Sequence, residues 1–359
     1  MNSYKKIVVK VGTNVLTRTD RFLDITAISH LVDQIATLKK EGVAVILVSS
    51  GAVGAGKSAI KISEQLPKIV QRQVYSSIGQ VRLMTTYTNL FGNYQIHCGQ
   101  VLATKEDFRD RTHYLNMRNC FQALLRDNVI PIVNENDVIS VNELMFTDND
   151  ELAGLIASMI NADALLILST VDGILDGHPD NPNSKTISEI DPDDKSIQKV
   201  ILPSKSSFGR GGMATKFNMS RKVSKLGITT IIANGKRPNI ILDINKGDFI
   251  GTKILPKGKA SNIKKWIAFN ELEQKGIVYI NEGAVEALKS SAQITSLLPI
   301  GVFKIEGVFK KGDIIKIVDE TGNSLGMGVA QYGVEKAQEF LGQKGKKALV
   351  HYDYLLLNK

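Results

Sequence analysis

Along the first two-thirds of the chain, short continuous apolar runs alternate with amphipathic stretches. Residues 7–11 form such a run and predict a buried strand. Ile25, Ile28, Leu31, Val32, Ile35 and Leu38 then recur at helical spacing, and Gly42 follows as a stop signal. A second apolar run covers 43–48. The alternation continues with strands predicted at 96–103, 129–133, 164–168 and 228–233, and helices at 114–125, 148–160 and 213–226. Strands that are apolar throughout are buried on both sides. The pattern therefore predicts an α/β fold, a mostly parallel sheet covered by helices on both faces. In such sheets ligands sit beyond the carboxyl ends of the strands.

Near residue 255 the character changes. Leu255-Pro256-Lys257-Gly258-Lys259-Ala260-Ser261 reads as a linker. Short strand patterns follow at 277–280, 301–305, 313–318 and 326–329, separated by turn signals such as Lys311-Gly312-Asp313 and Thr321-Gly322-Asn323. The expected organisation is an α/β domain over 1–254, a linker over 255–275 and a small β-rich domain over 276–359.

A length of 359 residues exceeds what one compact core usually holds, which agrees with two domains. Apolar content of 43% and charged content of 23% are ordinary for globular chains and exclude disorder. The formal charge of +9 invites a nucleic-acid reading, but the lysines are spread along the chain, and an enzyme of anionic substrates also tolerates such an excess. Cys98 and Cys120 are too few for a disulfide framework and lack metal-ligand spacing; they fit buried thiols in a reducing cytosol. The N-terminal residues enter a strand pattern at once, and no apolar run approaches the roughly 18 residues a membrane span needs. The expectation is a soluble cytoplasmic protein without membrane contact.

The strand ends carry the candidate chemistry. Lys10, Gly12 and Thr13 close the first strand, where glycine would let backbone N–H groups approach an anion and the lysine would supply charge. Ser49-Ser50-Gly51 closes the second. The segment 51–58 also fits the phosphate-loop pattern G-x-x-x-x-G-K-[ST], with Lys57 as its lysine. Against that reading, no acidic residue of the Walker B kind closes a later apolar strand; 164–168 runs into Ser169-Thr170. The strand over 129–133 ends in Asn134-Glu135-Asn136-Asp137, and Asp148-Asn149-Asp150-Glu151 opens the next helix. Asp148 suits an N-cap, and acids in a first turn complement the helix dipole. Two Asn/Asp clusters at consecutive junctions would also grip an ammonium group or organise lysines, and a two-carboxylate metal site is the alternative. Finally, Gly209-Arg210-Gly211-Gly212-Met213-Ala214-Thr215-Lys216 is a glycine-rich loop running into a helix, a ready phosphate cradle.

Taken together, Lys10-Val-Gly-Thr13, Ser49-Ser-Gly-Ala52, Val133 to Asp137, Asp148-Asn-Asp150 and Gly211 to Lys216 resemble the amino acid kinase family, specifically its members that phosphorylate the side-chain carboxylate of L-glutamate. The tail resembles a PUA domain, carried by Ser296 to Gly301, Phe309 to Asp313 and Gly326-Met-Gly328. The resemblance implies the following roles. Lys10 and Lys216 stabilise the transferring phosphoryl group, and Asp150 holds both lysines. Ser50, Gly51, Asn134, Asp137 and Asn149 bind glutamate. ATP is bound by Lys10, Gly12, Ser169, Thr170 and the loop from Arg210 through Gly211, Gly212, Met213, Ala214 and Thr215 to Lys216. Mg²⁺ accompanies ATP, and no protein metal ligands are expected. The product is L-glutamyl 5-phosphate, on the way to proline. L-Proline as feedback inhibitor, a glutamyl phosphate reductase that consumes the product, and a homo-oligomer (dimer or tetramer) are the implied partners. Residues 276–359 hold ten lysines and no arginine against nine acids, too balanced for a strong RNA footprint, so RNA binding by this domain is not expected. Ser169-Thr170 stands where Thr-Asp is common, Asn14 where Ser is common and Arg210 where Thr is common, which touches nucleotide contact but not the catalytic set.

Overall fold

The computed structural model describes residues 4–20, 22–63, 65–140, 146, 148–177, 181, 183–194, 196–197, 212–258, 261–270, 274–289 and 295–358. The chain divides into two compact units, Met1–Lys259 and Ala260–Lys359.

The first unit opens with β1 (Lys6–Val11), a one-turn helix α1 (Thr13–Leu16) and α2 (Ile25–Lys40). It continues with β2 (Ala44–Ser49), α3 (Ala52–Ala59), α4 (Lys68–Gly92), β3 (Cys98–Ala103), α5 (Lys105–Arg109), α6 (Arg111–Arg126) and β4 (Ile130–Glu135). Then come α7 (Asn149–Ile160), β5 (Ala164–Ser169), β6 (Glu189–Ile190), α8 (Met213–Lys225), β7 (Thr229–Asn234), α9 (Ile240–Lys246) and β8 (Gly251–Ile254). The sheet order is β3-β4-β2-β1-β5-β7-β8-β6. All pairs are parallel except β7–β8. An α/β unit with a mostly parallel sheet is thus what the apolar runs predict.

Strand alternation sorts the side chains between the faces. Ile7, Val9, Val11, Val45 and Leu47 pack with the apolar stripe of α2, with Tyr87 and Phe91 of α4, and with Ile240, Ile241 and Ile244 of α9. Lys10 has the opposite parity to Val9 and Val11, so it belongs to the other face, the face packed by α7. That helix is buried along nearly its whole length because small and apolar residues occupy every side.

Helix α4, 25 residues long, has no counterpart among the predicted elements. Its buried positions begin with Ser76, Gly79 and Gln80 before Leu83, Tyr87 and Phe91. Half of its inward stripe is therefore invisible to a search for apolar periodicity.

The second unit has a five-stranded sheet of β9 (Gly276–Ile280), β10 (Val302–Gly307), β11 (Ile314–Val318), β12 (Ser324–Val329) and β13 (Leu355–Leu357) in the order β10-β9-β11-β12-β13. Only β9–β11 is parallel. Phe309, Ile315, Ile317, Leu349 and Val350 anchor its separate core. Within the stretch that reads as a linker, Asn262–Phe269 is helical, with Trp266 and Ile267 buried.

Candidate active site

The carboxyl ends of β1, β2, β4 and β5 lie together at one edge of the sheet, and the polar clusters are carried there. Backbone hydrogen bonds tie the ends to one another. Ser50 N donates to Val11 O at 3.2 Å and Gly12 N donates to Leu168 O at 3.1 Å. The Gly12 N–H is thereby engaged within the sheet, so Gly12 brings backbone close to an incoming group without offering that donor.

At the centre is Asp150. The first turn of α7 places it beneath β1, and the first turn of α8 brings Lys216 to it from the other side. Lys10 Nζ stands 2.6 Å from Asp150 Oδ1, and Lys216 Nζ stands 2.8 Å from Asp150 Oδ2. Asp150 is fully buried and Lys10 is 5% exposed. Burial opposes ionisation of Asp150, but the two ammonium groups outweigh it and hold the carboxyl below its usual range. Two cations on one carboxylate leave one positive charge in excess, fixed where little water can screen it. Such a pair suits an anion that gains charge toward the same point.

Asp148 caps α7: its Oδ1 accepts from Asp150 N at 2.9 Å and Glu151 N at 3.1 Å. Burial, helped by the neighbouring Asp150 charge, pushes its carboxyl up to about 6. A carboxyl raised from 3.8 in the folded chain favours folding below that value, and this contribution is lost as pH rises through about 6. Asn caps as well as Asp. Asp148→Asn should therefore keep α7 and abolish this loss: its Tm advantage over the wild-type protein should grow between pH 4 and pH 6 and level off above. A Tm difference independent of pH in thermal scans would refute the assignment.

A second cluster surrounds Asn149. Its Nδ2 donates to Ser50 Oγ at 2.8 Å and to Asn134 Oδ1 at 3.0 Å. Asn134 Nδ2 in turn donates to Gln80 Oε1 at 3.0 Å. Asp137 is 8% exposed and pairs with Arg72 of α4, which also reaches Glu135 Oε2 at 3.0 Å. Gly51 precedes α3 with φ +108°, a left-handed conformation that favours glycine. Ser50, Asn134 and Asn149 are thus hydrogen-bonded into one group at the strand ends, with Gly51 following Ser50 and Asp150 following Asn149, while Asp137 is tied through Arg72 to Glu135, the neighbour of Asn134. Gln80, Arg72, Glu135 and Asp148 support this group; Glu135 and Asp148 fall in the two Asn/Asp clusters read from the sequence, Asp148 as the cap, whereas Gln80 and Arg72 were not among the sequence candidates. Gln80 and Arg72 come from the unpredicted helix α4.

Ser169 ends β5 and Thr170 follows it, with Ser169 O accepting from Gly235 N at 2.8 Å. Two residues on, Asp172 takes a bidentate pair from Arg237, with both contacts at 2.7 Å. Gly212 is the N-cap of α8; its carbonyl accepts from Thr215 Oγ1 at 2.8 Å and from Lys216 N at 3.2 Å. Met213 and Ala214 are half-buried in the first turn of that helix. Arg210 and Gly211 lie outside the described residues. The Gly51–Ser58 stretch is not a phosphate loop: Ala52–Ala59 is helical, and Lys57 is exposed over the Tyr75 ring at 5.7 Å. Gly56 serves packing, since a Cβ there would stand 1.8 Å from Tyr75 O of α4.

Both units match known families. The amino acid kinase family pattern matches residues 5–234 and the PUA domain pattern matches residues 276–352. A protein of Bacteroides thetaiotaomicron named glutamate 5-kinase is 52% identical over 357 residues, covering 99% of both chains. A glutamate 5-kinase of Chlorobaculum tepidum is 50% identical over 355 residues, covering 99% of this chain and 98% of that one. Among solved structures, carbamate kinase from Giardia lamblia bound to AMP-PNP superposes with a TM-score of 0.52 at 20% identity, over 72% of this chain and all of its own, a likeness of fold.

Proposed function

We propose, on the premise that this chain belongs to the amino acid kinase family and to the glutamate 5-kinases within it, that it transfers the γ-phosphoryl group of ATP to the side-chain carboxylate of L-glutamate. The observation that carries the reading is the buried Asp150 gripping Lys10 and Lys216 from opposite sides.

The nucleophile needs no base. A glutamate side chain, with an ordinary pKa of about 4.3, is ionised at neutral pH. One carboxylate oxygen attacks the γ-phosphorus as the bond to the β,γ-bridging oxygen breaks, giving L-glutamyl 5-phosphate and ADP with no net proton transfer. The obstacle is repulsion between an anion and a triphosphate. Lys10 and Lys216 offset it, and Asp150 keeps both ammonium groups aimed where negative charge spreads in the transition state. Ser50, Gly51, Asn134 and Asn149 hold the substrate in line, and Asp137 takes its ammonium group. Ser169, Thr170, Gly12 and the 210–216 loop receive the nucleotide.

Among the described residues no group of three or more His, Cys, Asp or Glu is placed to hold a metal ion. Mg²⁺ would be held mainly by nucleotide oxygens and water. Asp148 Oδ2, buried and without a hydrogen-bond partner among the described residues, is an acceptor with capacity to spare. When bound, the ion supplies positive charge to the phosphate oxygens.

Within this reading the enzyme performs the first step of proline synthesis in the cytoplasm, as a dimer or tetramer. L-Proline is its feedback inhibitor, and a reductase removes the labile acyl phosphate. No described helix is long and apolar enough to cross a membrane.

The deciding assay traps acyl phosphate with hydroxylamine. L-Glutamate with MgATP should give hydroxamate, while aspartate and N-acetylglutamate should give little. Product from another acid but not from glutamate would move the substrate; none from any acid would end the kinase reading.

A further inference from the structure

Asp137, assigned above to the substrate ammonium group, is not a lone carboxylate. Its Oδ1 accepts from Arg72 Nη2, and the same nitrogen donates to Glu135 Oε2 at 3.0 Å. Glu135 is anchored independently, because its Oε1 accepts from Phe146 N at 3.0 Å. Both carboxylates are buried, and the Arg72 side chain is 24% exposed. One guanidinium shared by two carboxylates leaves one negative charge in excess, the complement of a single cation. The chain of support runs from the fixed Glu135 to Arg72 and from Arg72 to Asp137, which sits on the turn after β4.

The carrier of Arg72 is fixed as well. Gly79 of α4 meets the backbone of α3 directly, and Gln80, two turns beyond Arg72 and on the same helix side, accepts from Asn134. Helix α4 thus sends two side chains to the carboxyl end of β4, and α3, on which it rests, begins next to Ser50.

We infer that Arg72 is a positioning residue for amino acid recognition: it acts through Asp137, holding that carboxylate toward the α-ammonium group of the substrate, and so favours acids with an unblocked amine. The inference rests on the glutamate kinase reading.

Without the guanidinium, two buried carboxylates face each other. Burial already pushes both up, with the Asp137 charge adding to the rise at Glu135 and Arg72 opposing it at each. One of them then takes a proton or turns away, and the ammonium loses its partner. Chemistry at the far carboxylate is untouched, so the effect falls on KM rather than on kcat.

The test uses the full-length chain in the hydroxamate assay with R72Q, R72K, D137N and the double variant R72Q/D137N. R72Q should raise the KM for L-glutamate about tenfold or more with kcat within about threefold, and R72K should recover part of the loss. In the D137N background R72Q should add less than about twofold, because the residue through which it acts is already disabled. Should R72Q fail to fold, R72K carries the same comparison. Effects on KM that multiply between Arg72 and Asp137, an unchanged KM, or a fall in kcat alone would overturn the inference. A wild-type protein that makes no hydroxamate from glutamate overturns the kinase reading and the inference with it; an active wild type with multiplying variants overturns the inference alone.

Discussion

Lys216→Ala should lower kcat for acyl phosphate formation by about 10²–10³-fold, whereas Lys57→Ala should stay within about twofold. The contrast follows from placement. Lys216 Nζ is 2.8 Å from a fully buried carboxylate and its side chain is 12% exposed, so its charge acts where water screens poorly. Removing it leaves Asp150 neutralised by Lys10 alone, and the net positive charge of the group disappears. The phosphoryl group is then transferred with half of its fixed cationic support. Lys57 is exposed on α3 and lies over the Tyr75 ring, a contact worth about 0.5–1 kcal/mol at such a site. Steady-state rates at saturating ATP and glutamate, with circular dichroism as a fold control, decide the matter. A silent Lys216→Ala beside an inactive Lys57→Ala would return the phosphate to the 51–58 segment.

How far the sequence foretold this arrangement depends on which signal each element sends. Strands β1, β2, β4, β5 and β7 are legible because burial on both faces makes them continuous apolar runs, and their ends could be searched for chemistry. Lys10 and Asn134 are legible for that reason, Asn149 and Asp150 as the polar cluster that opens a helix, and Lys216 from the glycine-rich loop before its helix. The contact between Lys10 and Lys216 through one carboxylate is implied by the family resemblance and by no local pattern, because it joins residues 10, 150 and 216, and only the sheet order brings β1 between β2 and β5. Helix α4 escaped because its inward face uses Ser76, Gly79 and Gln80 where periodicity analysis looks for leucine. With it escaped Arg72 and Gln80, half of the pocket's supporting side chains. Asp148 was legible as a cap, and the cap is present; its raised carboxyl comes from burial beside Asp150, a tertiary property. The literal phosphate-loop match misled in the opposite direction. Its Gly51 reflects a left-handed turn and its Gly56 the close approach of two helices, not of a phosphate.

That approach supplies the second large effect. Gly79→Ala should destabilise the protein by roughly 3 kcal/mol, toward the upper end of overpacking costs. Local propensity argues the other way, since alanine is favoured over glycine within a helix by about 1 kcal/mol. Geometry decides between them. A Cβ on Gly79 would lie 1.7 Å from Ala52 O and 2.4 Å from Gly56 N, and one on Gly56 would lie 1.8 Å from Tyr75 O. These are backbone atoms, so no rotamer change relieves the clash, and the helices must separate. Gly92, in the last turn of the same helix, has nothing within 4 Å of its Cβ position. Gly92→Ala should therefore be neutral or slightly stabilising, and it serves as the control for propensity alone. At about 2–4 °C per kcal/mol for a domain of this size, Gly79→Ala should lower Tm by roughly 6–12 °C. The same separation moves Arg72 and Gln80 away from Asp137 and Asn134 and α3 away from Ser50, so the surviving enzyme should show a raised KM for glutamate. A Gly79→Ala protein as stable as the Gly92→Ala control would mean that α3 and α4 are not in backbone contact, and the support drawn for the substrate pocket would go with that contact.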